Sequence, residues 1–229
     1  MDLYHVLSRG VDKRTIFMNN KDYFRFIHNL FELNDENPVT GSTYFFRKSS
    51  ESFDLASRKI EKSRKLLVNI HAFCLMPNHY HLLLSPIVED GVSKFMRKLN
   101  MAYAKYFNIK NERRGTLFES RYKSILVEEE KHFLYLPYYI HMNPLDLHAP
   151  EWREGRMFRP KEAMSFLKQY RWSSFLDYVG MKNFPSVTSR SFLQEILGQP
   201  KKYEKELMGN LQEMKMIIKS ESFVPVLLE

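Results

Sequence analysis

Apolar residues alternate with polar ones in four short stretches of this chain. They recur every three or four residues through most of the remainder. Residues 3–9, 66–76, 81–85 and 117–127 read as strands, the second and third paired around Pro77-Asn78. Residues 21–33 read as an amphipathic helix with Tyr23, Phe24, Ile27, Leu30 and Phe31 apolar, and 87–108 contain another, with Val92, Phe95, Met96, Leu99, Met101 and Tyr103 roughly periodic. Residues 128–143 read as a third helix, whose acidic start suits the positive end of the helix dipole and whose end is set by Pro144. Between the first helix and the second strand, 34–52 are polar with Pro38 and Gly41 and read as a loop, and 53–65 read as helical. After the third helix, 148–160 are irregular, 161–170 read as a helix, and 192–219 as one or two charged helices split at Gly198-Gln199-Pro200. The order β-α-β-β-α-β-α predicts an α+β fold on an antiparallel sheet.

Composition narrows the partners. The chain has 229 residues, a net charge of +8 and a pI near 9.4, which favours polyanions and nucleic acid first. No run is long and apolar enough to span a bilayer, and the opening MDLYHVLSRG lacks the apolar core of a secretion signal. The single cysteine, Cys74, excludes an internal disulfide and fits a reducing cytoplasm; its neighbours read as a packed strand. Basic residues cluster at Arg58, Lys59, Lys62, Arg64 and Lys65, and again along 105–123, where Tyr103, Tyr106, Phe107, Phe118 and Tyr122 interleave them. Such a pattern suits a groove for single strands, or equally a solvated face over core aromatics.

Two features carry candidate chemistry. His79 and His81 flank Tyr80 in a strand, so they point to one side while Tyr80 joins Leu82 and Leu84 on the other. Two imidazoles on one strand face either share a metal ion with further ligands or simply hydrogen-bond in a core. Tyr139 and Asn143 are four residues apart on the third helix and share a face, with Tyr135 one turn earlier. They present a phenol nucleophile and an amide ligand, or else the outer edge of a core helix.

Together these features resemble one family, the single-tyrosine HUH transposases and in particular the REP-associated tyrosine transposases. Tyr4-His5-Val6-Leu7-Ser8-Arg9-Gly10 is similar to the family's opening strand, and Ile16-Phe17 followed by Asp22 to its next element. Met76-Pro77-Asn78-His79-Tyr80-His81-Leu82-Leu83-Leu84 resembles the HUH strand, the run from Gly115 to Glu128 the block that follows, and Tyr139-Ile140-His141-Met142-Asn143-Pro144 the tyrosine helix. Tyr170-Arg171-Trp172-Ser173-Ser174-Phe175 and Tyr178-Val179-Gly180 resemble its tail block. The resemblance implies a ferredoxin-like sheet bearing the histidines, a catalytic domain over 1–150 and a helical extension over 151–229 that either clamps DNA or caps the core.

It also implies a reaction. Tyr139 is the expected nucleophile. His79, His81 and Asn143 are the expected ligands of Mg²⁺ or Mn²⁺. The substrate implied is single-stranded or hairpin DNA, cut through a 5′-phosphotyrosine; the net charge and the basic, aromatic stretch 103–123 make Arg113, Arg114, Arg121 and Lys123 the expected phosphate contacts, with weaker support for the cluster Arg58–Lys65. A homodimer is left open, and no membrane is involved. A non-catalytic nucleic-acid binder and a metal-dependent nuclease using water are the alternatives. Three departures stand out: Pro137 inside the tyrosine helix predicts a kink, Tyr138 adjoins the nucleophile, and 34–65 exceed the family's usual link.

Overall fold

The computed structural model describes residues 1–37 and 64–213. Most of the link expected as loop and helix over 34–65, the cluster Arg58, Lys59 and Lys62, and the last residues of the helix expected to 219 lie outside the described residues.

Four strands form the sheet: β1 (Tyr4–Arg9), β2 (Val68–Met76), β3 (His79–Pro86) and β4 (Lys123–Leu126). Their order is β2-β3-β1-β4 and every neighbouring pair is antiparallel. This is the order of a ferredoxin-like sheet, and the fold is α+β as the residue pattern predicts. The strand expected over 117–127 is much shorter. Leu117 and Phe118 turn into the core, Phe118 forms only an isolated bridge with Gly10, and the chain joins the sheet at Lys123.

Helix α1 (Asn20–Glu32) and helix α2 (Gly91–Lys110) cover one face of the sheet. Asn19 and Asp22 form a capping box that starts α1. Phe26, Ile27 and Leu30 from α1 and Phe95, Met96 and Leu99 from α2 meet Val6, Tyr80, Leu82 and Leu84 there.

Helix α3 (Glu130–Met142) crosses the other face, followed by 3₁₀ turns at Asn143–Leu147 and Pro150–Glu154. The kink expected at Pro137 does not interrupt α3, which runs through it. A register shift between Ile70 and Ala72 lets β2 turn Ala72, Cys74 and Met76 toward this second face after sending Ile70 to the first. Helices α4 (Pro160–Gln169), α5 (Phe175–Tyr178), α6 (Ser191–Leu197) and α7 (Pro200–Gln212) complete its cover. Leu167, Phe175, Tyr203 and Leu207 enter the same cluster as Ile140 of α3. The described tail thus caps the core.

The tail also closes a sheet edge. Leu75 donates its amide to the Trp172 carbonyl at 2.9 Å, and Ser174 donates to Phe73 at 3.0 Å. The opposite edge, β4, is short and bears the exposed Lys123, a combination that discourages unwanted strand pairing.

Candidate active site

β3 supplies the first half of the site. Alternation sends His79 and His81 to the α3 face, opposite Tyr80 and Leu82. Their rings lie 5.1 Å apart between centres, at 83°. The ring of His81 meets that of Tyr139 edge-on at 5.9 Å. Strand register adds a third histidine. Pairing of β1 with β3 brings His5 onto this face, stacked on His81 at 5.2 Å, with its Nε2 2.9 Å from Nδ1 of His81.

Hydrogen bonding sets which ring nitrogens stay open. Asn78 donates from Nδ2 to the Lys13 carbonyl at 3.2 Å, so its Oδ1 faces Nδ1 of His79, at 2.6 Å. A carbonyl oxygen only accepts, so the His79 proton sits on Nδ1 and Nε2 keeps its lone pair. On His81, Nδ1 is engaged with His5, while Nε2 is buried without a hydrogen-bond partner. An unpaired buried polar atom costs about 1–3 kcal/mol, so its persistence calls for an explanation.

Burial keeps these rings neutral. Desolvation pushes the His79 pKa down to about 4, with the charge of Arg9 adding to it. His81 is held well below its usual value by burial, then by His79 and His5. His5 is lowered to about 3, again chiefly by burial. Neutral imidazoles with free lone pairs are the form that ligates metals.

α3 and the turn that follows it supply the second half. Tyr139 and Asn143 are both buried, and the Asn143 Nδ2 donates to the Tyr139 carbonyl at 2.8 Å, which leaves its Oδ1 facing Arg153. Arg153, from the second 3₁₀ turn, joins the two side chains. It donates from Nη1 to the Tyr139 hydroxyl at 2.7 Å and from Nη2 to Asn143 Oδ1 at 2.9 Å. Asp146 grips the same guanidinium from behind, accepting from Nε at 2.9 Å and Nη2 at 2.7 Å. Asp146 is steadied in turn by the Trp152 indole, which donates to Oδ1 at 2.7 Å. Burial opposes the charge on Arg153, but its bonds to Asp146 and its nearness to Tyr139 raise its pKa above the ordinary value.

Other candidates fall elsewhere. Tyr138 stacks on Tyr203 at 4.7 Å and 20°, facing the tail. Tyr135 lies 6.3 Å from Tyr139 between ring centres. Arg114, Arg121 and Lys123 are exposed, whereas Arg113 is half-buried and donates to Asn108 Oδ1 at 3.0 Å. Arg64 is bound to the carbonyls of Phe31 and Asn34 and packs over the Phe31 ring, a structural use.

Among the described residues no group of three or more His, Cys, Asp or Glu side chains is placed to hold a metal ion. Two imidazole nitrogens and an amide oxygen still fit a divalent cation that keeps several waters. Nε2 of His79 and Nε2 of His81 have open lone pairs, and Asn143 Oδ1 has a second lone pair besides the one facing Arg153. His5, Asp146 and Arg153 are site residues that sequence reasoning passed over as such. Only Asp146 and Arg153, close after Asn143 in sequence and of opposite charge, offered a hint.

A family model described as IS200-like transposase matches residues 43–143. That stretch carries His79, His81, Tyr139 and Asn143. No curated protein matches the chain. A solved structure described as a REP-associated tyrosine transposase bound to a REP hairpin is similar at 14% identity, over 83% of this chain and 89% of that one, with a TM-score of 0.48.

Proposed function

We propose that this chain, which matches the IS200-like transposases over residues 43–143, cuts and rejoins single-stranded or hairpin DNA through a covalent bond to Tyr139. One observation supports this most. Two neutral imidazoles with open Nε2 atoms share a sheet face with the Tyr139 ring, and Arg153 ties the Tyr139 hydroxyl to the amide oxygen of Asn143.

Cleavage of a phosphodiester needs an aligned nucleophile and relief of charge at phosphorus. A phenol with an ordinary pKa of about 10 attacks poorly at neutral pH unless its surroundings assist. His79, His81 and Asn143 would hold Mg²⁺ or Mn²⁺, which when bound supplies Lewis-acid polarisation of the scissile phosphate. Tyr139 Oη forms the bond to phosphorus as the bond from phosphorus to the 3′ oxygen breaks. The phenolic proton passes to water, and the departing oxygen takes one up to become a 3′-hydroxyl. The 5′-phosphate remains on the tyrosine, so a 3′-hydroxyl of another strand can reverse the step and join DNA. Arg113, Arg114, Arg121 and Lys123 would bind phosphates along the incoming strand.

The test uses the full chain, Mn²⁺ and 3′-labelled single-stranded oligonucleotides carrying the hairpins that flank its own gene. On a denaturing gel the label should shift to the protein for wild type and for Tyr138→Phe, and not for Tyr139→Phe. Adduct from Tyr139→Phe would overturn the assignment. Cleavage without any adduct would point to water as the nucleophile.

A further inference from the structure

We infer that Arg153, held by Asp146, is a further functional residue of this site: a guanidinium fork that fixes the attacking oxygen of Tyr139 against the ligand Asn143. The inference rests on the function proposed above.

The geometry argues for more than a tie between loops. The guanidinium makes four hydrogen bonds, and they divide by direction. Nε and Nη2 run to the two oxygens of Asp146, a bidentate pairing that fixes the plane of the group. Nη1 and Nη2 run forward to Tyr139 Oη and Asn143 Oδ1. Arginine is the side chain whose rigid fork can do both at once; lysine has no such plane. The group also lies 4.5 Å from the Trp152 ring centre and 5.3 Å from that of Tyr139, which limits its swing. A loop tie would be served by Asp146 alone. The two forward bonds go instead to Tyr139 and Asn143, the two groups at the end of α3 that the proposed reaction uses.

Two chemical consequences follow. A guanidinium donates and cannot accept, so the phenolic proton of Tyr139 must point away from Arg153. One lone pair of Oη is thereby occupied, and the remaining directions on that oxygen are left for the phosphorus and the departing proton. In the reverse step, phosphorus leaves Oη and negative charge returns to the same oxygen, where a preorganised cation already sits. Arg153 touches the reacting atom and so acts as a catalytic residue. Asp146 acts through it and is a positioning residue.

The experiment compares wild type with Arg153→Gln, Arg153→Lys and Asp146→Asn. Single-turnover adduct formation is followed on the 3′-labelled flanking-hairpin oligonucleotides with saturating Mn²⁺. Affinity for the same DNA and the melting temperature are measured in parallel. Arg153→Gln should slow adduct formation by about 100-fold or more, the usual loss on removing one preorganised donor, with DNA affinity within about threefold. Arg153→Lys should recover about tenfold of that loss, since an ammonium still reaches Tyr139 but cannot span both acceptors. Asp146→Asn should slow the step about tenfold, as outer-shell changes do.

Equal adduct rates in wild type and Arg153→Gln would overturn the inference alone. So would equal slowing in the Gln and Lys variants matched by equal losses in melting temperature, which would mark a structural tie. No adduct from wild type would overturn the function proposed above and this inference with it.

Discussion

Tyr80 and His81 are neighbours in β3 and both are buried, yet they belong to different chemistries. On the α1–α2 face, Tyr80 packs against Phe26 at 4.7 Å between ring centres, and the buried Tyr80 and Tyr103 hydroxyls find partners. The Tyr103 hydroxyl, for instance, donates to the Ile16 carbonyl at 2.6 Å. On the α3 face, His81 keeps a buried nitrogen without a partner, close to a tyrosine whose hydroxyl is held by an arginine. The first face has an orphan too, Ser8 Oγ opposite Tyr80, but it is a lone hydroxyl, whereas His81 Nε2 lies beside His79 and Tyr139. Local rules are usually broken where function requires it, and the α3 face combines an orphaned ring nitrogen with a phenol tethered to an arginine.

The sharpest way to break this comparison is to truncate each face. Phe26→Ala should cost about 3–5 kcal/mol, because its neighbours Tyr80, Tyr103 and Phe17 cannot collapse into the space. The surviving folded protein should still form adduct. His81→Leu should abolish adduct, with stability within about 1 kcal/mol of wild type: relief of the orphaned Nε2 offsets the lost bond to His5. Urea denaturation and adduct yield per folded molecule measure both. If His81→Leu proves as destabilising as Phe26→Ala, the α3 face is ordinary core and the contrast fails.

Much of this was legible in the chain. Alternation through Tyr80, Leu82 and Leu84 predicts which way the histidines point, and a four-residue spacing predicts that Tyr139 and Asn143 share a face. The helix break at Gly198-Gln199-Pro200 appears as the boundary between α6 and α7. What was not legible depends on tertiary contact. The short β4 follows from Leu117 and Phe118 preferring the core to the ladder. His5 joins the site only because β1 pairs with β3 in one register. Arg153 comes from a stretch read as irregular, and its role depends on a turn that brings it back over α3.

A second prediction sharpens the contrast through pH. The buried histidines His5, His71, His79, His81 and His141 gather around α3, the tail or each other. His71 is the simplest to isolate, bonded to Ser85 Oγ at 2.8 Å and to the Ser189 carbonyl at 3.3 Å. Burial pushes its pKa down from 6.5 to about 4, the Ser189 bond opposing. Between these values the unfolded chain binds the proton and the folded chain does not. The stability this neutral ring contributes is therefore full above about 6.5 and lost progressively as pH falls toward 4. From pH 7.5 to 5.0, His71 alone should account for about 2 kcal/mol, at about 1.4 kcal/mol for each pH step over which the two states differ by one proton. Urea denaturation of wild type and His71→Gln at the two pH values should show the variant losing less. A wild-type protein equally stable at both would mean that these rings titrate normally.

The smallest expected effect concerns the rim. Arg114, Arg121 and the β4 residue Lys123 are exposed, whereas Arg113 is half-buried and already donates to Asn108 with its guanidinium over the Phe107 ring. If the strand destined for Tyr139 crosses this rim, each exposed cation that meets a phosphate contributes about 0.7 to the log–log dependence of affinity on salt for single strands. Alanine at Arg114, Arg121 or Lys123 should each flatten the slope by about that amount, and all three together by about 2. Arg113→Ala should change it less, since freeing that side chain for a phosphate would first break its bond to Asn108. The binding series uses the Tyr139→Phe protein, so that cleavage does not distort it. A triple variant whose slope matches wild type would move the DNA path away from β4. A larger effect from Arg113 than from Arg114 would mean that DNA pulls the guanidinium off Asn108 and that the rim rearranges on binding.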